Sequence, residues 1–220
     1  MKALVTGFEA YGGRGINPAA EIARTLDGTD IDGLQVTGLC LPVSLPQAPQ
    51  LLVERMDELA PDIILCLGLW PGEQMIRLER IALNRADFEI PDAAGLLLQD
   101  EELEPGGPDG LRATLPLQET VAALWRQGVP ARLSGTAGTY LCNATFYRTL
   151  RHAQLHRPKT LVGFMHLPYL PAQVAALLEE MRAAPSLELH QRADLASMDL
   201  YTMLAAVRTT LSISAERAEP

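Results

Sequence analysis

The stretch GTYLCNATFY, Gly138 to Tyr147, sets a cysteine beside an asparagine at the start of what reads as a helix. A thiol in that position faces unpaired backbone N–H groups and the positive end of the helix dipole. Both stabilise a thiolate, so Cys142 is expected to ionise more readily than a free cysteine. A nucleophilic thiol needs a general base within hydrogen-bond reach, and the chain offers four histidines. His152 and His156 lie further along the same helix, roughly 15 and 21 Å up its axis at about 1.5 Å per residue, and read as solvent-facing. His190, in SLELHQRAD, reads as a surface residue at a strand end. His166 closes the apolar strand TLVGFM and precedes Leu167-Pro168-Tyr169-Leu170-Pro171, whose prolines stiffen the loop. It therefore stands at a strand carboxyl end, where reactive groups gather in α/β folds. On the residues alone it is either the base for Cys142 or a structural histidine capping a strand.

A third group could orient that base. In IRLERIALN, Glu79 shares parity with Ile81 and Leu83 and so points to an apolar face, where a carboxylate needs a partner such as a histidinium. Arg77 has the same parity, which leaves the alternative of an exposed strand glutamate. Cys40 and Cys66 lie inside apolar strands and read as buried packing residues. The three cysteines have neither disulfide-framework nor zinc-site spacing, and all are expected to be free thiols.

These groups must be held by the rest of the chain. Its 220 residues suffice for one sizeable core, and a single domain over 1–220 is expected. The formal charge of −9, from 27 acidic and 18 basic side chains, repels phosphate backbones and anionic bilayers, so neither nucleic acid nor a membrane is an expected partner. The N-terminal MKALVTGFEAYGG does not read as a secretory signal, and no apolar run approaches the roughly 20 residues of a membrane span. A cytoplasmic location is expected.

Strands are expected at 2–7, 34–43, 62–68, 76–84, 130–134 and 160–166, with helices at 17–26, 47–59, 120–127, 143–156, 171–182 and 195–212. Residues 91–110, rich in Pro, Gly, Asp and Glu, read as a long surface excursion of the kind that is more often functional or mobile than structural. The alternation implies an α/β fold: an α/β/α sandwich with a twisted, largely parallel sheet and helices on both faces. The loop GFEAYGGRG lies between a strand and a helix, but its spacing matches neither a phosphate-binding loop nor a dinucleotide fingerprint.

The segments TGFEAYGGRGINP, ERIALN followed by IPDAAG, SGTAGTYLCN and GFMHLPYLP resemble the pyroglutamyl peptidase I (pyrrolidone carboxyl peptidase) family of cysteine peptidases, in order from Met1 to about Met181. The resemblance implies a cytosolic omega-peptidase that removes N-terminal pyroglutamyl residues from peptides, needs no metal or other cofactor, and assembles as a homotetramer. Its nucleophile, base and orienting acid match Cys142, His166 and Glu79. Phe8 matches an aromatic position near the lactam ring, and Asn17 the asparagine before proline in the first loop. Tyr11 joins Phe8 as a candidate pocket wall, although the family usually has Pro-Phe-Gly-Gly where this chain has Ala10-Tyr11-Gly12-Gly13. Leu69 stands where a glutamine is common, and Glu73 and Glu89 where arginines are common. An anion at Glu89 near the site would raise the Cys142 pKa and weaken oxyanion stabilisation. Two rivals accompany this reading: a retargeted member acting on another small acyl group, and a non-catalytic oligomeric binding protein.

Overall fold

In the computed structural model, which describes residues 1–11, 14–183 and 195–218, the first unit is a strand, a loop and a helix. β1 (Lys2–Phe8) is apolar along nearly its whole length and buried on both faces, as a central strand of a covered sheet must be. α1 (Pro18–Leu26) starts where the Asn17 side chain accepts the Ala19 N–H at 3.0 Å and Pro18 supplies a preset φ. α1 lies so close on β1 that a Cβ on Gly7 would come within 2.1 Å of the Ala19 carbonyl oxygen. Only glycine permits that approach.

β2 (Asp30–Ile31), β3 (Leu34–Leu41), α2 (Gln47–Leu59), β4 (Ile63–Leu69), β5 (Ile76–Glu79), β6 (Ile81–Leu83), β7 (Gly110–Arg112), α3 (Leu117–Arg126), β8 (Ala131–Ser134), α4 (Leu141–His156), β9 (Leu161–Leu167), α5 (Pro171–Ala183) and α6 (Leu200–Ala218) follow. Seven strands form the main sheet in the order β2-β3-β1-β4-β9-β5-β8. β3, β1, β4 and β9 run parallel, while β5 is antiparallel to β9 and parallel to β8. The sheet is thus largely parallel, as expected, with its β5–β8 edge reversed. Two apolar clusters cover it, one drawn from α1, α3 and α6 and the other from α2 and α4. No helix among the described residues is long and apolar enough to cross a membrane.

Four expectations need correction. The strand expected over 76–84 is two strands: β5 lies in the main sheet, and beyond Arg80 the chain leaves it to pair β6 with β7. All four residues of β5 are buried, so Glu79 is inside because both faces are covered, and parity with Ile81 and Leu83, which are only half-buried, has no bearing on it. The closing helix begins at Leu200, because Asp199 accepts the Thr202 N–H and hydroxyl and so caps it. The 91–110 excursion is pinned from within. Buried Asp92 accepts the N–H groups of Leu45, Ala94 and Leu96, and Asn84 grips both the N–H and the C=O of Glu104. Cys40, expected to be buried, is half-exposed, since only the two-residue β2 lies beyond β3 at that edge. The segment containing His190 lies outside the described residues.

Candidate active site

Sheet register brings the first three groups together. Gly68 on β4 and Arg77 on β5 are both the register partners of His166, and Glu79 pairs with Phe164, two residues back along β9. Residues opposite one another share a face, and diagonal neighbours lie within reach. Glu79 accordingly meets His166 on the diagonal, with Oε1 2.8 Å from Nδ1. Both are fully enclosed, at 0% and 1% exposure. A buried carboxylate that accepts the Nδ1 proton holds the ring in one tautomer and leaves the other nitrogen free. The ring is walled by Phe164 and by Trp70, whose centroids are 4.7 and 4.9 Å away.

Cys142 reaches the same face from α4. The helix starts after Tyr140 without a side-chain cap, so the amides of its first turn remain open to an oxyanion. Cys142 Sγ and His166 Cδ2 meet over Gly68: a methyl group there would lie 2.7 Å from the sulfur and 3.1 Å from the ring carbon. The missing side chain of Gly68 leaves the room that both the thiol and the imidazole edge border.

The expected lowering of the Cys142 pKa is not what this setting produces. Burial, and then the Glu79 carboxylate, push the thiol up to about 12. Burial also drives the His166 pKa down, outweighing the raising effect of Glu79, and Arg77 acts in the same direction as burial. The resting pair is therefore a neutral thiol and a neutral imidazole. The anion responsible is Glu79; Glu89 is exposed on the chain beyond β6.

Asn143, beside the thiol, is structural. Its Oδ1 accepts the Leu83 N–H at 2.8 Å, and its Nδ2 donates to the carbonyls of Leu83 and Arg85, each at 2.9 Å. It ties α4 to β6. Asn143→Ala would strand those buried groups, so a loss of about 2–4 kcal/mol in unfolding free energy is expected in urea titration.

Beside the thiol lies a pocket of about 30 Å³, lined by Phe8, Tyr11, Asn17, Val43, Leu69, Tyr140, Leu141 and Cys142. All four sequence-derived substrate positions are in it. Val43, Tyr140 and Leu141 were missed, although the last two immediately precede Cys142 in the chain and could have been named from that alone. Tyr11, Asn17 and Leu69 also border a second cavity of about 220 Å³, shared with Arg14, Ile16, Pro71 and Tyr169. A larger cavity, about 720 Å³, lies between α2, α4 and the 96–104 segment and contains neither Cys142 nor His166. Glu73 is buried away from the thiol and pairs with Arg77 at 3.3 Å and Arg132 at 2.7 Å. His152 pairs with Asp57 at 2.9 Å, and His156 is exposed.

No group of three or more His, Cys, Asp or Glu side chains among the described residues is arranged to hold a metal ion. The pyroglutamyl peptidase family profile matches residues 1–212. The chain belongs to the pyroglutamyl peptidase family. It is similar to the pyrrolidone-carboxylate peptidase of Pyrococcus furiosus, 41% identical over 85% of this chain and 90% of that one. It is also similar to pyrrolidone-carboxylate peptidase 2 of Caldanaerobacter subterraneus, 32% identical over 97% and 96%. A solved structure of a mutant P. furiosus pyrrolidone carboxyl peptidase superposes with a TM-score of 0.91 at 37% identity, covering 99% of both chains. The Thermococcus litoralis enzyme gives 0.89 at 35% identity, covering 98% of this chain and 93% of that one. The pyroglutamyl peptidase family membership accounts for the α/β fold, and the expected hydrolase class follows from it.

Proposed function

We propose that this chain is a thiol omega-peptidase that hydrolyses the bond after an N-terminal pyroglutamyl residue of a peptide. The observation that carries the reading is that Cys142 and His166 both border the space over Gly68, with Glu79 on the His166 Nδ1, beside a pocket holding all four residues expected to contact the lactam. Cys142 Sγ forms a bond to the pyroglutamyl carbonyl carbon as its proton passes to the free nitrogen of His166. The first-turn amides of α4 receive the developing oxyanion. As the C–N bond breaks, His166 returns the proton to the leaving amine. Water then enters, loses a proton to His166 and attacks the thioester carbonyl; the C–S bond breaks as His166 returns that proton to the sulfur, releasing pyroglutamate and the neutral pair. Glu79 stabilises the imidazolium that forms at each transfer. Because the lactam is neutral, the pocket needs no counter-charge; Phe8 and Tyr11 supply an aromatic wall and Leu69 an apolar one. A homotetramer and a cytoplasmic location accompany this reading, and three free thiols suit a reducing compartment.

The test is amine release from pyroglutamyl, prolyl and alanyl amides of one fluorescent amine, followed over pH. Turnover of the pyroglutamyl compound alone supports the proposal; equal turnover of all three, or none, overturns it. The pH profile has a definite sign. Activity requires neutral His166, whose pKa is lowered, so kcat/KM should be flat above about pH 6.5 and fall only below it. The raised thiol adds no further limb up to pH 10. A resting thiolate–imidazolium pair would instead lose activity above about pH 8.5 as the imidazolium lost its proton.

A further inference from the structure

Behind the Glu79–His166 pair stands a buried arginine that the mechanism above does not use. Arg77 is 7% exposed, and its guanidinium faces β5, the turn before it and the end of β8 at once. Nε lies 3.1 Å from Glu79 Oε1, the same oxygen that meets His166, as an ion-pair contact outside hydrogen-bond geometry. Nη1 donates to Glu73 Oε2 at 3.3 Å, in the turn between β4 and β5. Nη2 donates to Ser134 Oγ at 2.8 Å and to the Thr136 carbonyl at 3.2 Å, on the loop that leads into Cys142. The guanidinium carbon sits 4.0 Å from the centre of the Trp70 ring, which packs edge-on against His166 and lies against Gly138 of the same loop. Arg77 thus touches the carboxylate that orients the base, the ring that walls it and the loop that carries the thiol. Glu73 is held in turn by Arg132 at 2.7 Å. The result is a row of alternating charge, Arg132, Glu73, Arg77 and Glu79, ending on His166.

We propose that Arg77 is a positioning residue of this active site, with Glu73 as its anchor: it fixes the Glu79 carboxylate and the Trp70 wall against His166 and ties both to the Ser134–Tyr140 loop. The proposal rests on the peptidase reading. It also explains how the chain manages a glutamate at 73, where the family commonly has an arginine. The cation near Glu79 comes from β5 itself, at position 77, and Glu73 in the preceding turn serves it as counter-ion. A planar guanidinium suits the role, because one ammonium cannot engage four acceptors and a ring face together.

The charged and titratable groups facing His166 are Glu79 and Arg77 from β5, Glu73 from the preceding turn and Cys142 from α4; Trp70 and Phe164 add only ring surface. The two substitutions therefore push the imidazole in opposite directions. Removing the cation with Arg77→Met should move the His166 titration to higher pH, and removing the anion with Glu73→Gln should move it to lower pH. The experiment is an NMR titration of the His166 imidazole in the full chain, in wild type, Arg77→Met, Arg77→Lys and Glu73→Gln, alongside pyroglutamyl amide kinetics. We expect opposite shifts for the Met and Gln variants and a titration for Arg77→Lys near that of wild type. In the kinetics, Arg77→Met should lose ~10- to 100-fold in kcat with KM within about threefold, and Arg77→Lys should recover part of that loss. General loosening of the fold would move both titrations the same way. Shifts of the same sign, or none, overturn the proposal. The titration reads the proposal without turnover, so an inactive wild type would sink the peptidase reading and leave this one decided on its own. If Arg77→Met does not fold, Glu73→Gln and Arg77→Lys still give the signs.

Discussion

Cys142→Ser is expected to fold as the wild type does and to lose at least ~10⁴-fold in kcat/KM on a pyroglutamyl amide. The substitution changes one atom at a half-buried position, so the thermal midpoint should move little. The chemistry changes far more. In the neutral resting pair, Cys142 must give up its proton to His166 as it attacks, and a hydroxyl does so much less readily than a thiol. No other thiol can stand in. Cys66 is buried in β4, with its pKa pushed up to about 11, and Cys40 lies on β3 with its sulfur 4.0 Å from the Ala20 carbonyl. Groups that act as one unit are not additive, so the double variant Cys142→Ser, His166→Ala should be no worse than the single by more than a few-fold. Residual turnover of a few per cent in the serine variant, after exclusion of a contaminating host peptidase, would require a different nucleophile.

How much of this was legible in the sequence depends on how local each cause is. Cys142 was visible because a helix start is a local feature, and His166 because an apolar strand followed by two prolines is another. Glu79 was reached by a wrong route. The parity argument assumed one half-covered strand through Asn84, whereas the chain leaves the main sheet at Arg80 and β5 is covered on both faces. Nothing near position 80 marks that break, which is made by β7 pairing with β6 from across the 84–110 excursion. The reversed direction of β5 was equally hidden, and it sets the diagonal from Glu79 to His166. The sign of the Cys142 shift failed for a related reason. A helix dipole can be read from local sequence, but burial of the thiol and the approach of the Glu79 carboxylate are products of tertiary packing. Arg77 and Glu73 looked like an awkward parity match and a lost arginine. Only the fold shows that they are partners, since Ser134, Thr136 and Arg132 reach them from more than fifty residues away.

The second large effect concerns an atom that is absent. Gly68→Ala is expected to lower kcat/KM by ~10³-fold. Its Cβ would lie 2.7 Å from Cys142 Sγ, 3.0 Å from Phe164 Cζ and 3.1 Å from His166 Cδ2. The first is shorter than real contacts show and the other two are tight, so the thiol must shift and the Phe164 ring and the imidazole must give by a few tenths of an ångström. His166 has little freedom, being held by Glu79 on one side and by Trp70 and Phe164 on others. The thiol, at the half-open first turn of α4, yields first. A shift of about 1 Å in one reacting group costs ~10²-fold, and here the thiol and the imidazole are both pressed by the same methyl group. The variant will lose some stability as well, so it needs a control with a comparable clash elsewhere. Gly163→Ala provides one: its Cβ would come 2.3 Å from Leu115 Cδ1, three residues before His166 on β9 and so on the opposite face of the sheet. Assayed well below their melting temperatures, the Gly163 variant should keep kcat/KM within about tenfold of wild type while the Gly68 variant does not. If both lose activity in proportion to stability, the space over Gly68 is only packing; if Gly68→Ala alone loses it, that space sets the placement of thiol and imidazole.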